Sequence, residues 1–227
     1  KIILIDHDII EPSNLNRQIL YNKAEIGNKK VIAASKHLEF LHIINTTVET
    51  IDLDIFKNWI DLVSLIKESD FVLNGLDCPE IKRVAVSSLC LKFQKPMIYA
   101  GTDVISGNAG MILYQKPNGK PCYECLQATL NTIKPEFHHI FSPAKIDSQN
   151  SIPIDKIAGK EEHPLAASTN YTAAIVSNFA INYMVHYLLD WSEIPNRTII
   201  DLYNSTIDTW KLEGVEDCLL CGKRIDE

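Results

Sequence analysis

No run of the 227 residues is both long and apolar enough to read as a membrane span. The most apolar long stretch, Leu165 to Trp191, carries Ser168, Asn170, Ser177, Asn178, Asn182 and His186, which hydrocarbon would leave unsatisfied. A buried helix or a subunit-interface helix explains it better. A secretory leader is also missing: "KIILIDHD" has neither a long apolar core nor a small-residue cleavage site, so the expected location is cytoplasmic. Basic charge is not in surplus. Lys and Arg number 22 against 29 Asp and Glu, a net charge of −7 with no basic cluster. That argues against a nucleic-acid-binding face and leaves room for a nucleotide as a small ligand. Internal repeats and low-complexity tracts are absent.

What is present suits one large α/β domain. Apolar residues make up 46% and charged residues 22%, the balance of a globular protein with a substantial core. Ile2–Ile5 reads as a short, fully buried strand. Its appearance with no preceding loop leads us to expect a fragment, cut upstream of Lys1. From Val31 the apolar residues Val31, Ala34, Leu38 and Leu41 recur at helical spacing. A β-rich run, "TTVETIDL", follows, and then a second helical pattern over about 55–66. "DFVLNG" is a further buried strand, 79–93 a helix with Pro79 in its first turn, and "PMIYAG" another strand.

Strands alternating with helices in this way predict a Rossmann-like, doubly wound, mostly parallel sheet. Beyond Gly101 the pattern changes. "AGMILYQ" then "KPNGK" reads as a strand ending in a tight turn, and the polar, proline-containing stretch 126–164 as a crossover loop or lid. A helix is expected over about 166–189, and "RTIIDLY" with "TWKLEGV" as an antiparallel C-terminal extension.

Four of the six cysteines form two matched pairs, Cys122-x-x-Cys125 and Cys218-x-x-Cys221, each beside a turn signal. Two such knuckles fit one tetrahedral, structural zinc site with all four positions filled. Disulfides suit a chain without a secretion signal less well, and free thiols are the third reading. Cys90 falls in a helical apolar pattern and reads as core. Cys78 adjoins Asp77, whose carboxylate would blunt it as a nucleophile.

The polar stretch "DHDIIEPSNLNRQILY", Asp6 to Tyr21, is too specific for a mere connector. An acid at a strand end, here Asp6, can hold ribose hydroxyls in nucleotide-binding α/β folds, or simply cap a turn. Arg17 carries a fixed fork of donors and, taken alone, suits a surface ion pair. Taken alone, Lys30 reads as an exposed helix residue and Asp77 as a helix cap before Pro79.

"SNLNRQ", "IGNKK", "DFVLNGLDCPEIKR" and the two C-x-x-C pairs, in this order, resemble the ThiF/HesA/MoeB superfamily, which includes the ubiquitin-activating enzymes. The likeness runs over nearly the whole chain. It implies ATP- and magnesium-dependent adenylation of a carboxylate by a ThiF/MoeB-type adenylyltransferase. By the same resemblance Asp6 holds the ribose, and Asn14 and Arg17 reach the triphosphate. Lys30, rather than the adjacent Lys29, neutralises the α-phosphate, and Asp77 binds magnesium. The family's glycine-rich loop and the arginine often given by a partner subunit are not in these residues. Residues 1–227 are therefore expected to be a single adenylation domain whose upstream part, with an N-terminal peptide-binding domain, is missing. "LDCPE" also departs from the commoner "TDN" context of the magnesium acid.

Many superfamily members carry a cysteine in the crossover region for a thioester or persulfide. Here Leu126 to Asp217 contains none. "YAGTDVISGNAGMILY", "PCYEC" and "HPLAASTNYTAAIVSNF" look closest to the peptide-modifying branch of the microcin C maturation and pantocin-forming enzymes. That likeness implies adenylation of a short ribosomal peptide and direct attack by a nitrogen nucleophile, in the maturation of a bacteriocin-like product. A ubiquitin-like sulfur-carrier protein ending in Gly-Gly is the alternative substrate. A zinc-stabilised dimeric scaffold without catalysis, and an NAD oxidoreductase, are the readings from other classes. A homodimer is expected, with the long helix as its face. His138 and His139 read as solvated loop residues.

Overall fold

The computed structural model describes residues 1–40, 45–76, 80–103, 107–128 and 169–222. Asp77, Cys78, His138, His139 and nearly all of the expected crossover lid lie outside these residues. The chain divides into two units, Lys1–Leu65 and Ile66–Glu227.

In the first unit, β1 (Ile2–Ile5) pairs in parallel with β2 (Val48–Ile51), Ile2 opposite Val48 and Ile5 opposite Ile51. α1 (Lys30–Phe40) packs on β2, burying Val31, Ala33 and Ala34. β1 is less buried than its composition predicts: Ile2 is exposed and the other three residues are half-buried. Among the described residues its only hydrogen-bonded neighbour is β2. α2 (Trp59–Glu68) links the two units. It begins four residues later than the periodicity suggests, because Asp54 closes a turn of its own. The Asp54 carboxylate accepts from the Phe56 amide at 3.0 Å, and its carbonyl accepts from Lys57 and Asn58.

The second unit is a mixed sheet in the order β3-β4-β5-β6-β7. β3 (Val72–Asn74) and β4 (Met97–Thr102) are parallel, and α3 (Glu80–Lys92) connects them. β4, β5 (Ala109–Gln115), β6 (Arg197–Asp201) and β7 (Thr206–Trp210) are successively antiparallel. The antiparallel part therefore begins at β5, well before the C-terminal pair that the sequence suggests. β3 is also more open than expected, with Leu73 exposed. β7 starts three residues before "TWKLEGV" and ends at its second residue, Trp210. The Asp201 carboxylate accepts from the amides of Tyr203 and Asn204 at 3.0 and 3.1 Å, and Ser205 takes a φ of +57°. The hairpin thus turns over 202–205, and Trp210 faces Arg197.

β5 is buried along its whole length, and α5 (Asn170–Leu188) lies on β4 and β5. Thr172, Val176, Ala180 and Tyr183 form its buried face, at the spacing of one helical stripe. Val176, Ala180 and Tyr183 join Ile98, Ile112, Tyr114, Ile194 and Ile200 in the core. Gly110 permits this approach: a Cβ there would lie 2.1 Å from Val176 Cγ2. Two hydroxyls fix the start of α5, with Thr172 Oγ1 donating to the Gly107 carbonyl at 2.6 Å and Thr169 Oγ1 at 3.1 Å. Cys90 is buried within α3, and desolvation pushes its thiol up to about 12, in keeping with a core role. No helix among the described residues is long and apolar enough to cross a membrane.

Candidate functional site

The polar stretch after β1 is held in shape by its own side chains and by the segment before α1. Asp6 Oδ1 accepts from the Asp8 amide at 2.8 Å, turning the chain as it leaves the strand. Ile9 and Lys29 form an antiparallel bridge. The amide of Ile10 donates to the Asn28 carbonyl at 2.9 Å, and that of Gly27 to the Ile10 carbonyl at 2.8 Å. Residues 6–10 are thereby fastened to residues 27–30.

Asn14 is buried in a short turn of 3-10 helix, Pro12–Asn14, and its Oδ1 accepts from the Glu11 amide at 3.0 Å. In this arrangement it builds the loop. Arg17 follows on the same turn and is half-buried, with Nη1 donating to the Ser13 carbonyl and to Asn16 Oδ1, both at 2.9 Å. These bonds engage one edge of the guanidinium fork. Tyr21 is half-buried, and its phenol is pushed up to about 12, by burial first and then by the charges of Asp6 and Glu25. It therefore stays protonated, a donor on the Asp6 side of the loop.

The two adjacent lysines have different surroundings. Lys29 Nζ donates to the His7 carbonyl at 2.7 Å and to Asp52 Oδ1 at 3.0 Å, with a side chain 40% exposed. Lys30 Nζ pairs with Asp8 Oδ2 at 2.9 Å, and its side chain is only 12% exposed. Lys30 is the first residue of α1, whose first turn carries no acid. Asp8 and Asp52 supply the compensating negative charge from outside the helix. Asp6, Asn14, Arg17 and Lys30 all fall in the first unit, on this loop and the helix it grips. The sequence reading missed Asp8, Tyr21 and Asp52. The second acid of "DHD" is a signal that could have drawn attention to Asp8.

The second unit brings the four matched cysteines together. α4 (Tyr123–Ala128) carries Cys125 in its first turn and follows directly on Cys122. Cys218 and Cys221 sit on a tight turn closed by the Gly222 amide on the Cys218 carbonyl at 2.7 Å. A Cβ on Gly222 would lie 2.3 Å from that carbonyl oxygen, so this turn needs glycine. The Sγ atoms are 3.6 Å apart for Cys122–Cys218, 3.3 Å for Cys125–Cys221 and 3.8 Å for Cys122–Cys125. A tetrahedron with metal–sulfur bonds of about 2.3 Å has edges of about 3.8 Å, whereas a disulfide requires about 2.05 Å. The donor set and spacing fit a tetrathiolate metal centre, and the first cysteine pair is buried.

Other polar groups support the cluster. The Val215 amide donates to Cys125 Sγ at 3.3 Å. Gln115, fully buried at the end of β5, accepts on Oε1 from the Tyr123 amide at 3.1 Å and from the Ser87 hydroxyl. Its Nε2 donates to the Ser87 carbonyl at 3.1 Å. One side chain thus fixes α3, β5 and the start of α4. Arg197, fully buried on β6, donates from Nη1 to the Leu126 carbonyl at 2.6 Å and holds the other end of α4. Burial pushes the thiols of Cys122 and Cys221 up, Cys221 to about 11. Burial also opposes ionisation of Cys218. The amides of Cys221 and Leu220 and the thiols of Cys125 and Cys122 outweigh it and bring Cys218 down to about 7.

The ThiF family profile matches residues 1–220. The adenylyltransferase and sulfurtransferase MOCS3 of Arabidopsis thaliana is 29% identical over 126 residues, 56% of this chain and 26% of that protein. The ubiquitin-like modifier-activating enzyme 5 of Caenorhabditis briggsae is 28% identical over 234 residues, 99% of this chain and 48% of that protein. The chain thus spans less than half the length of either. Escherichia coli MccB, crystallised with AMPCPP and MccA, shares the fold at a TM-score of 0.71 and 22% identity, over 98% of this chain and 59% of that one. The chain belongs to the ThiF family.

Proposed function

We propose that this chain is the adenylation domain of an ATP- and magnesium-dependent enzyme that activates the carboxylate of a short ribosomal peptide. The observation that carries this reading is the absence of any cysteine from Leu126 to Asp217 in a ThiF-family chain. With no thiol there to receive the acyl group, the adenylate is attacked directly by a nitrogen nucleophile. The likeness to MccB, a microcin C7 biosynthetic enzyme crystallised with N-formylated MccA, supports a peptide substrate and a place in peptide natural-product maturation.

In the first step a carboxylate oxygen attacks the α-phosphorus of ATP and pyrophosphate leaves. Asp6 accepts hydrogen bonds from the ribose hydroxyls, with the protonated Tyr21 beside it. Arg17 turns the fork of its guanidinium to phosphate oxygens while Ser13 and Asn16 hold one edge. Asn14 reaches the triphosphate from the loop that its Oδ1 helps to build. Lys30 offsets the charge that builds on the α-phosphate. Asp77 is the proposed magnesium ligand. In the second step the nitrogen attacks the acyl carbon, AMP leaves and the nitrogen gives up a proton. Cys122, Cys125, Cys218 and Cys221 hold a structural zinc that takes no part in either step.

The MOCS3 relative favours a second substrate, a ubiquitin-like carrier ending in Gly-Gly. We read 1–227 as one adenylation domain, in a cytoplasmic homodimer. The exposed Tyr171, Ile181 and Leu188 of α5, with Trp191 just beyond, are its proposed contact face.

Pyrophosphate–ATP exchange with the full-length protein tests these readings, using short peptides and Gly-Gly carriers encoded nearby as acyl candidates and Asp77→Ala as the control. Peptide-dependent exchange that disappears in the control supports the first substrate, and carrier-dependent exchange the second. No exchange with any candidate, from a folded and zinc-loaded protein, favours a non-catalytic scaffold.

A further inference from the structure

We propose that Asp8 is a positioning residue for Lys30, fixing its ammonium group where the α-phosphate is to be met. This inference rests on the adenylation reading and on the role given there to Lys30. Asp8 grips Lys30 twice: its carbonyl accepts from the Lys30 amide at 3.0 Å, and its Oδ2 takes the Lys30 ammonium at 2.9 Å. Asp8 is itself held, because its amide donates to Asp6 Oδ1 at 2.8 Å. The adjoining Ile9–Lys29 bridge locks the register of the two segments. Asp6, the ribose acid, and Lys30, the phosphate lysine, are therefore two ends of one hydrogen-bonded chain whose middle link is Asp8.

The burial contrast separates this pair from an ordinary surface ion pair. Asp8 is 52% exposed at its side chain while Lys30 is 12% exposed, so the lysine is the buried member of the pair. A lysine stem has four rotatable bonds and wanders unless something holds its end. An ammonium at the first residue of a helix also lies at the positive end of the dipole, where it is disfavoured without a counter-charge. Asp8 supplies that charge and uses one of the three ammonium protons, leaving two donors for phosphate oxygens. His7 Nε2 lies 3.7 Å from Asp8 Oδ1, on the carboxylate oxygen that does not hold Lys30.

The test is a double-mutant cycle in the full-length protein: wild type, Asp8→Asn, Lys30→Ala and the double variant. Each is read by pyrophosphate–ATP exchange with whichever acyl candidate, peptide or Gly-Gly carrier, supports exchange in the wild type. Asp8→Asn leaves the backbone carbonyl grip intact and removes only the side-chain one. A misplaced catalytic group costs rate more than binding, so kcat falls about tenfold while the KM for ATP changes less than about threefold. In the Lys30→Ala background Asp8→Asn costs nothing further. If the two losses multiply instead, Asp8 acts independently of Lys30 and the proposal is overturned. If Lys30→Ala exchanges at the wild-type rate, the role of Lys30 fails first and the proposal with it. Should the asparagine variant not fold, Asp8→Glu in both Lys30 backgrounds reads the same coupling. An absence of exchange with every acyl candidate removes the adenylation reading and this inference together.

Discussion

Stripping the metal from the cysteine cluster should lower the melting temperature by about 10–20 °C, and the size follows from the chain connecting the two knuckles. Cys122 and Cys218 are 96 positions apart, as are Cys125 and Cys221. An unfolded chain still presents two C-x-x-C pairs, each able to take zinc through two sulfurs. Bringing the pairs together in that chain costs loop-closure entropy on the order of 4–5 kcal/mol at this separation. The folded chain has met this cost, with Sγ atoms gathered at 3.3 to 3.8 Å.

A ligand stabilises the folded state only by its difference in affinity for the two states. Saturating zinc therefore adds about 4–5 kcal/mol, less than the roughly 10 kcal/mol or more of total binding energy typical of a structural zinc site. For a chain of this size each kcal/mol moves the midpoint by about 2–4 °C. The assay is scanning calorimetry under reducing conditions, with and without a zinc chelator, alongside metal content by mass spectrometry. Cys221→Ser should reproduce most of the shift and melt at one temperature whether or not the chelator is present. A wild-type melt indifferent to the chelator, or markedly less than one zinc per chain, would refute the reasoning.

Four further outcomes are expected. Arg17→Ala should lower pyrophosphate exchange by about 100-fold or more, mostly in kcat, because a preorganised donor to developing charge is lost; a fall in ATP affinity alone would make Arg17 a ground-state contact. Gly110→Ala should destabilise by about 1–3 kcal/mol in urea unfolding, since its Cβ would sit 2.1 Å from Val176 Cγ2. Adding Val176→Ala should recover part of that loss, whereas strict additivity would place the strain elsewhere. Gln115→Leu leaves the buried Tyr123 amide without its acceptor and should cost about 1–3 kcal/mol, with weaker zinc retention because Cys122 adjoins that amide. The carboxyl of Glu25 is held below its usual 4.5, chiefly by the His37 side chain and then by the Asn22 amide. Its contribution to stability is thus present above 4.5 and lost as pH falls through the lower folded value, so Glu25→Gln should lower the melting temperature near neutrality and match wild type in acid.

Local pattern carried the reading where function depends on spacing along the chain. The two C-x-x-C pairs could be matched because their tips are short turns whose geometry two intervening residues largely determine. The choice of Lys30 over Lys29 came from the family order; the structure adds only that Lys30 is the more buried of the two. The order of strands and helices was equally legible. The extent of burial on β1 and β3 was not, because an apolar run reports what a strand could bury and not how many neighbours it has. The buried face of α5 was also hard to see. It consists of Thr172, Val176, Ala180 and Tyr183, two of them polar, so the helix shows little contrast between its sides.

The pairing of Asp8 with Lys30 shows why the remainder was hidden. Within "DHD" the first acid draws attention, since it ends a strand and a strand end is where a ribose acid belongs. Nothing local marks the second acid as the partner of a residue 22 positions later. That partnership is created by a single antiparallel bridge, Ile9 to Lys29, which sets the register of two irregular segments. A shift of one position there would bring Lys29 toward Asp8 and leave Lys30 without its counter-charge. The sequence supplies both lysines side by side, and the register of that one bridge decides which of them is buried against Asp8 and which is left on the surface with Asp52.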